Sequence, residues 1–231
     1  MIKWFEEWNL LGKMYHIGFD ETHGAKYAIL PGDPGRVEKI ASFLDNPRFY
    51  NQNREYTTWL GELLGAKVLV MSTGMGGPST AIGVEELFQT GVTNFIRIGT
   101  CGGMATQVIG GDLVIATGAI RMEGTSKEYV PIEFPAVANL DITNALVQAS
   151  KNLNTTWHAG VVQCKDSYYG QHSPDRMPAG NELLEKWDAW IKAGCVASEM
   201  ESANVWIVSQ VPGGRAGCVL NTVWNQERVK K

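Results

Sequence analysis

Two glycine-rich stretches, Ser72-Thr73-Gly74-Met75-Gly76-Gly77-Pro78 and Gly99-Thr100-Cys101-Gly102-Gly103, could bring backbone close to a ligand. Each follows an apolar run, 68–71 and 92–98, that reads as a buried strand. Pro78 suits a first helical turn, and Ile82, Val84, Leu87 and Phe88 give that helix an apolar side before Gly91 stops it. The stretch 72–103 is thus read as loop, helix, strand and loop. In open α/β sheets ligands bind beyond the carboxyl ends of the strands, so both loops are expected to face one crevice. Arg97 interrupts the second strand just before its loop. A buried guanidinium is costly unless paired, so its partner is either an acid such as Glu85 or Glu86 or a bound anion.

Four other stretches carry chemistry. Pro31-Gly32-Asp33-Pro34-Gly35-Arg36 joins a strand over 27–30 to a helical pattern of Val37, Ile40, Ala41 and Leu44. A helix start beside an arginine favours negative charge, as any anion cradle must. Lys165 to His172 is a polar, aromatic segment after a strand over 157–164, suited to a flat heterocycle or, more plainly, to a surface loop. Glu199-Met200-Glu201 supplies two carboxylates two residues apart, which are either solvent-facing acids at a helix start or, in a crevice, acceptors for sugar hydroxyls. Arg54 leads a hairpin whose second strand is 67–71, and His16 is either a satisfied structural residue or a ligand contact.

The elements around these residues read as one domain. A chain of 231 residues, 44% hydrophobic and 19% charged, can bury a substantial core, and a net charge of −4 leaves no footprint for nucleic acid. Residues 3–12 form an amphipathic helix on this reading, 113–116 a strand, 121–138 a loop, and 139–153 and 182–193 helices. Four scattered cysteines show no zinc spacing and read as reduced thiols. Acids and tryptophans near the start replace the apolar core of a signal peptide, and no run reaches membrane-spanning length, so a soluble cytoplasmic protein is expected.

Taken together, LPGDPGRVEKIA at 30–41, NREYTTW at 53–59, STGMGGPSTAIGVEEL at 72–87, RIGTCGG at 97–103, EFPAVA at 133–138, KDSYYGQH at 165–172 and EMESA at 199–203 resemble the nucleoside phosphorylase-I family, in its uridine-cleaving branch. The resemblance spans about residues 15–227 in the family's order. It implies a single-domain, three-layer α/β/α sandwich with a mixed central sheet over 1–231. The implied reaction is reversible phosphorolysis of uridine to uracil and ribose 1-phosphate in pyrimidine salvage, with inorganic phosphate as co-substrate and no other cofactor. Gly32, Arg36, Arg97 and Thr100 match the family's phosphate site, and Arg54 the arginine that reaches in from a neighbouring subunit. Met200 and Glu201 match the ribose contacts, and His16 the histidine that approaches the 5′-hydroxyl across a dimer. Arg97 and Glu201 are the expected catalytic pair. Glu55, the Met75 carbonyl and Ser79 match a monovalent-cation site, K+, at the dimer contact of some relatives, and the implied assembly is a hexamer of such dimers.

In the base segment Tyr168 takes an aromatic's place and Gln171 matches the residue that bonds the uracil edge, but the arginine expected soon after is replaced by His172-Ser173-Pro174. A departing uracil anion still needs donors, so Lys165 and His172 are the candidates, with Arg176 as alternative. Purine-specific relatives place an acid where this chain has Asn221 to Asn225, which favours a pyrimidine. The family continues past the Gln226-Glu227 motif into a final helix, which is expected to be cut short here. A purine phosphorylase, a water-using nucleosidase and an inactive nucleoside-binding protein are the competing readings. Several phosphate-facing arginines argue against the second, and intact Arg36, Arg54, Arg97 and Glu201 against the third.

Overall fold

A computed structural model describes residues 12–229. The helix expected over 3–12 lies, but for Gly12, outside the described residues. The strands are β1 (Tyr27–Leu30), β2 (Asp45–Asn53), β3 (Tyr56–Leu63), β4 (Ala66–Met71), β5 (Asn94–Gly103), β6 (Leu113–Met122), β7 (Ala136–Val137), β8 (Trp157–Lys165), β9 (Ala197–Glu199) and β10 (Arg215–Asn225). The helices are α1 (Val37–Ala41), α2 (Gly77–Gln89), α3 (Thr125–Tyr129), α4 (Leu140–Asn152), α5 (Tyr168–His172), α6 (Gly180–Lys192), α7 (Ser202–Gln210) and α8 (Gln226–Val229). The strands join one mixed, ten-stranded sheet with helices around it, the α/β architecture that the resemblance implied.

The apolar runs 27–30, 68–71 and 94–98 become parallel neighbours. β1 lies between β4 and β5, with Ala28 opposite both Leu69 and Phe95. Strands covered on both faces have no polar side to alternate with, which is why these segments read as continuous apolar runs. Leu30, Leu69, Met71, Leu87, Phe95, Trp206 and Leu220 are all buried in the core. β2, β3 and β4 extend this sheet as an antiparallel meander, one strand more than the expected hairpin.

The expected loop at 99–103 is instead the second half of β5. β10 runs beside the whole strand, from Arg215 opposite Asn94 to Asn225 opposite Gly103, and β9 pairs with Gly102 and Gly103 from the other side. Such pairing satisfies the backbone of glycines that composition alone assigns to a turn. Because β5, β10, β6, β8 and β9 then pair in a ring, this end of the sheet closes on itself.

The expected loop over 121–138 is also partly ordered, as the end of β6, α3 and β7. Buried Arg121 organises it, donating to the carbonyls of Ser126, Val130, Pro131 and Phe134 at 2.6–2.9 Å. α7 is buried from Ser202 to Ser209 and packs on α2, β10 and the rest of the core. No helix among the described residues is long and apolar enough to cross a membrane.

Candidate active site

The two loops after β1 and β4 lie side by side because their strands are parallel neighbours. Thr73 N–H donates to the Pro31 carbonyl at 2.9 Å and Gly74 N–H to the Gly32 carbonyl at 3.0 Å. A β-carbon on Gly32 would stand 3.0 Å from the Gly74 carbonyl, and one on Gly74, at φ +71°, would press on Ser79 Oγ at 2.7 Å. Glycine at both positions lets the loops close on each other. Asp33 accepts from Gly35 N–H at 2.8 Å and turns the chain so that Arg36 borders the same cleft.

This cleft, of about 830 Å³, lies beyond the carboxyl ends of β1, β4 and β8, where the ring meets the open sheet. Its floor is Arg97, which is 3% exposed. Arg97 does not pair with Glu85 or Glu86. Its Nε donates to Glu199 Oε2 at 3.2 Å, and Nη2 donates to Glu201 Oε2. Burial opposes its charge, but Glu201 and then Glu199 outweigh that and hold the guanidinium charged beyond its ordinary range. Glu199 also accepts from the N–H groups of Glu201 and Ser202, both at 2.9 Å, so this carboxylate anchors the start of α7 as well as Arg97. Glu201 spends its other oxygen on Gly76 N–H at 2.7 Å. The two acids are therefore buried, as the crevice reading required.

Opposite this charged floor stands an aromatic and cationic wall. The segment expected as a loop over 165–172 is the end of β8 followed by α5, started by Ser167, whose Oγ accepts from Gly170 N–H at 2.9 Å. That short helix sets Tyr168 against His172, ring centroids 4.4 Å apart and tilted by 46°, and His172 faces Trp224 at 6.3 Å. Lys165 is buried beside them. Burial pushes the titration of both Lys165 and His172 down, so the His172 ring favours its neutral form.

Of the residues singled out in the sequence, Gly32, Arg36, Arg97, Thr100, Lys165, Tyr168, His172, Met200 and Glu201 border this cleft, as do Glu55, Met75 and Ser79. Three do not. Gln171 lines a separate cavity of about 130 Å³ on the far side of Lys165. His16 and Arg54 stand together at the β2–β3 turn. His16 Nδ1 lies 2.6 Å from Glu86 Oε1, and Arg54 donates to the Tyr15 hydroxyl at 3.3 Å. Arg176, exposed on the turn Pro174–Arg176, is not among the cleft residues. Cys101, Trp187, Ser198, Trp224 and Gln226 also border the cleft. The sequence assigned none of them a role, and Ser198 and Trp224 reach the cleft only because β9 and β10 close the ring.

Glu55 and Ser79 offer hard oxygen donors 2.7 Å apart, and the Ser79 contact, more than any other influence, keeps the Glu55 carboxyl below its usual range. This donor set suits an alkali cation, though two side-chain oxygens make only part of a shell. Among the described residues no group of three His, Cys, Asp or Glu could hold a metal ion.

Paired glycine loops, a braced buried arginine and a carboxylate pair before a buried helix define a class. The chain belongs to the phosphorylase superfamily, which it matches over residues 26–222. It is 53% identical to a uridine phosphorylase of Treponema pallidum over 93% of this chain and 83% of that one. The corresponding protein of Escherichia coli is 41% identical over 92% of this chain and 86% of its own. A guanosine phosphorylase of Halorubrum lacusprofundi is 39% identical over 90% and 82%.

Proposed function

We propose that the protein is a uridine phosphorylase, a pentosyltransferase that transfers the ribosyl group of uridine reversibly to inorganic phosphate. The observation that carries this reading is the joint presence of Arg97 and Glu201 on the floor of a cleft whose opposite wall is Tyr168, His172 and Lys165. Arg97, with Arg36, Thr100 and the Gly32 backbone, holds phosphate near C1′ by bidentate, charge-assisted hydrogen bonds. A phosphate oxygen forms a bond to C1′ while the bond from C1′ to the base nitrogen breaks. Its electron pair leaves with uracil and spreads over the carbonyl oxygens, and the base takes a proton from solvent. Glu201 and Met200 hold the ribose, the carboxylate facing the positive charge that develops on the sugar ring. Lys165 and His172 face the departing base and Tyr168 stacks on it, with Gln171 joining them once α5 adjusts around a ligand.

The cleft contains neither Arg54 nor His16, which suits a site completed by the same turn of a second copy. We therefore propose a dimer with shared sites, assembled into a hexamer, with a monovalent cation, K+, at Glu55, the Met75 carbonyl and Ser79 on the dimer contact. We propose further that it works in the cytoplasm, in pyrimidine salvage.

The likeness to a guanosine phosphorylase keeps a purine reading in view. Purine departure calls for an acid at the ring nitrogen. At the end of β10, Asn225 is buried and donates its amide protons to the Ala105 and Val108 carbonyls at 2.8 Å, and the stretch 221–225 carries no Asp or Glu. Release of free base from uridine and inosine, each with and without phosphate, separates the readings. Phosphate-dependent uracil release is expected. Hypoxanthine release would favour the purine reading, phosphate-independent release a nucleosidase, and ligand binding with no release an inactive binding protein.

A further inference from the structure

Lys165 is 4% exposed, yet its ammonium has a single hydrogen-bond partner among the described residues, the Ser198 hydroxyl to which it donates. An ammonium carries three N–H donors, and a buried one left with donors to spare is costly. It borders the cleft, so acceptors on a bound molecule are what those donors lack. Behind it the contacts continue in one direction. Ser198 Oγ donates to Gln163 Oε1 at 2.7 Å, and Gln163 Nε2 points on to the sulfur of Met122 at 3.2 Å. Ser198 is 6% exposed and Gln163 fully buried.

The geometry comes from the closed end of the sheet. β8 and β9 are parallel neighbours with Gln163 directly opposite Ser198, and Lys165, two residues on from Gln163, points to the same face of β8. Each hydroxyl or amide in the chain has its lone pair committed toward the lysine side and its proton toward Met122. That arrangement fixes the ammonium and leaves its two remaining N–H donors for the cleft.

We propose that Gln163 and Ser198 are positioning residues that hold the Lys165 ammonium against the acceptor edge of the departing pyrimidine, so that the relay acts on the leaving group and not on phosphate or ribose. The proposal rests on the uridine phosphorolysis reading above. Lys165 then stabilises the electron pair that arrives on the base carbonyls as the glycosidic bond breaks, and its benefit grows with the charge on that base. A base whose anion is already stabilised by an electron-withdrawing substituent depends on the relay less.

The test compares wild type with Ser198→Ala, Ser198→Thr and Gln163→Leu on uridine and on 5-fluorouridine, whose base leaves more readily. It measures kcat, the KM of each nucleoside and the KM of phosphate, with thermal midpoints as a control for folding. Ser198→Ala should lower kcat/KM for uridine about tenfold or more and for 5-fluorouridine by a clearly smaller factor, mainly in kcat, with the phosphate KM unchanged. Gln163→Leu should show the same substrate-dependent pattern more weakly, and Ser198→Thr, which keeps the hydroxyl, should recover most of the loss. Equal losses on both substrates in variants with wild-type midpoints, a raised phosphate KM, or no loss at all would each overturn the relay. Wild-type chain that fails to release uracil from uridine would instead sink the activity reading. Uracil titration would then decide the relay alone: weaker uracil binding in Ser198→Ala would uphold it, and binding equal to wild type would overturn it.

Discussion

Arg97 and Glu201 form a buried ion pair in which Nη2 donates to Oε2, while the other Glu201 oxygen accepts from Gly76 N–H at 2.7 Å. The pair thereby ties β5, the entrance to α7 and the glycine loop after β4 into one unit. A phosphate that takes the Arg97 fork must draw on the same donors that Glu201 now uses. Replacing Arg97 by alanine should cut kcat/KM for uridine by about a hundredfold or more and raise the phosphate KM. Near-normal turnover with an unchanged phosphate KM would remove Arg97 from the phosphate site.

Glu199 braces the same arginine from the other side, fully out of solvent, and accepts from two backbone N–H groups. Breaking one member of a buried charge group costs about 3–5 kcal/mol when the partner is left uncompensated, less where a second partner remains. Because Glu201 remains, Glu199→Gln should lose about 2–3 kcal/mol in urea unfolding. A loss under about 0.5 kcal/mol would mean that Glu199 neither braces Arg97 nor anchors α7.

Arg54 and Arg97 should complement each other between chains. If each cleft borrows Arg54 from its neighbour, a dimer of one Arg54→Ala chain and one Arg97→Ala chain has one intact site and one doubly damaged site. Mixing the two inactive variants under conditions of subunit exchange should therefore restore activity. No recovery, with exchange shown by mass spectrometry of tagged chains, would place Arg54 in its own chain's cleft or in none.

His23 sets a pH dependence of stability. It is 1% exposed, its Nδ1 accepts from Ala25 N–H at 2.8 Å, and its Nε2 donates to the Thr90 hydroxyl at 3.0 Å, so the fold holds it neutral. Burial, the largest influence, lowers its pKa from 6.5, so between the folded and unfolded values the unfolded chain binds the extra proton. Stability from this group is therefore complete above pH 6.5 and lost as pH falls below it toward the folded-state value. The thermal midpoint should drop between about pH 7.5 and about pH 5, and His23→Gln should flatten part of that slope. An identical slope in the variant would show that other groups carry it; His172, also lowered by burial, is the first to examine.

The Arg121 side chain should prove structural. It donates to four backbone carbonyls between Ser126 and Phe134. Arg121→Ala should expose the segment 123–135 to rapid amide exchange and proteolysis. Unchanged exchange there would mean that α3 and β7 order the segment without it.

Much of the scaffold was legible in the chain itself. Apolar runs bounded by glycine and proline marked β1 and β4, and the 3.6-residue pattern marked α2, α4 and α6, because burial on one face or two leaves its period in the sequence. The PGDPGR turn, the GMGGP loop and the E-M-E pair could each be named as ligand chemistry from residue type alone. Other features could not be read locally. The glycines at 99–103 look like a turn, and only β10 and β9 lying alongside make them strand. Nothing near Arg97 says that its partners stand 102 and 104 residues away. Trp224 and Ser198 join the cleft, and Gln163 and Ser198 come to face Lys165, only because the ring of strands closes. Residue type and local period determine which chemistry and which elements are available. Which charges share one desolvated pocket depends on long-range pairing, and that the tertiary structure alone decides.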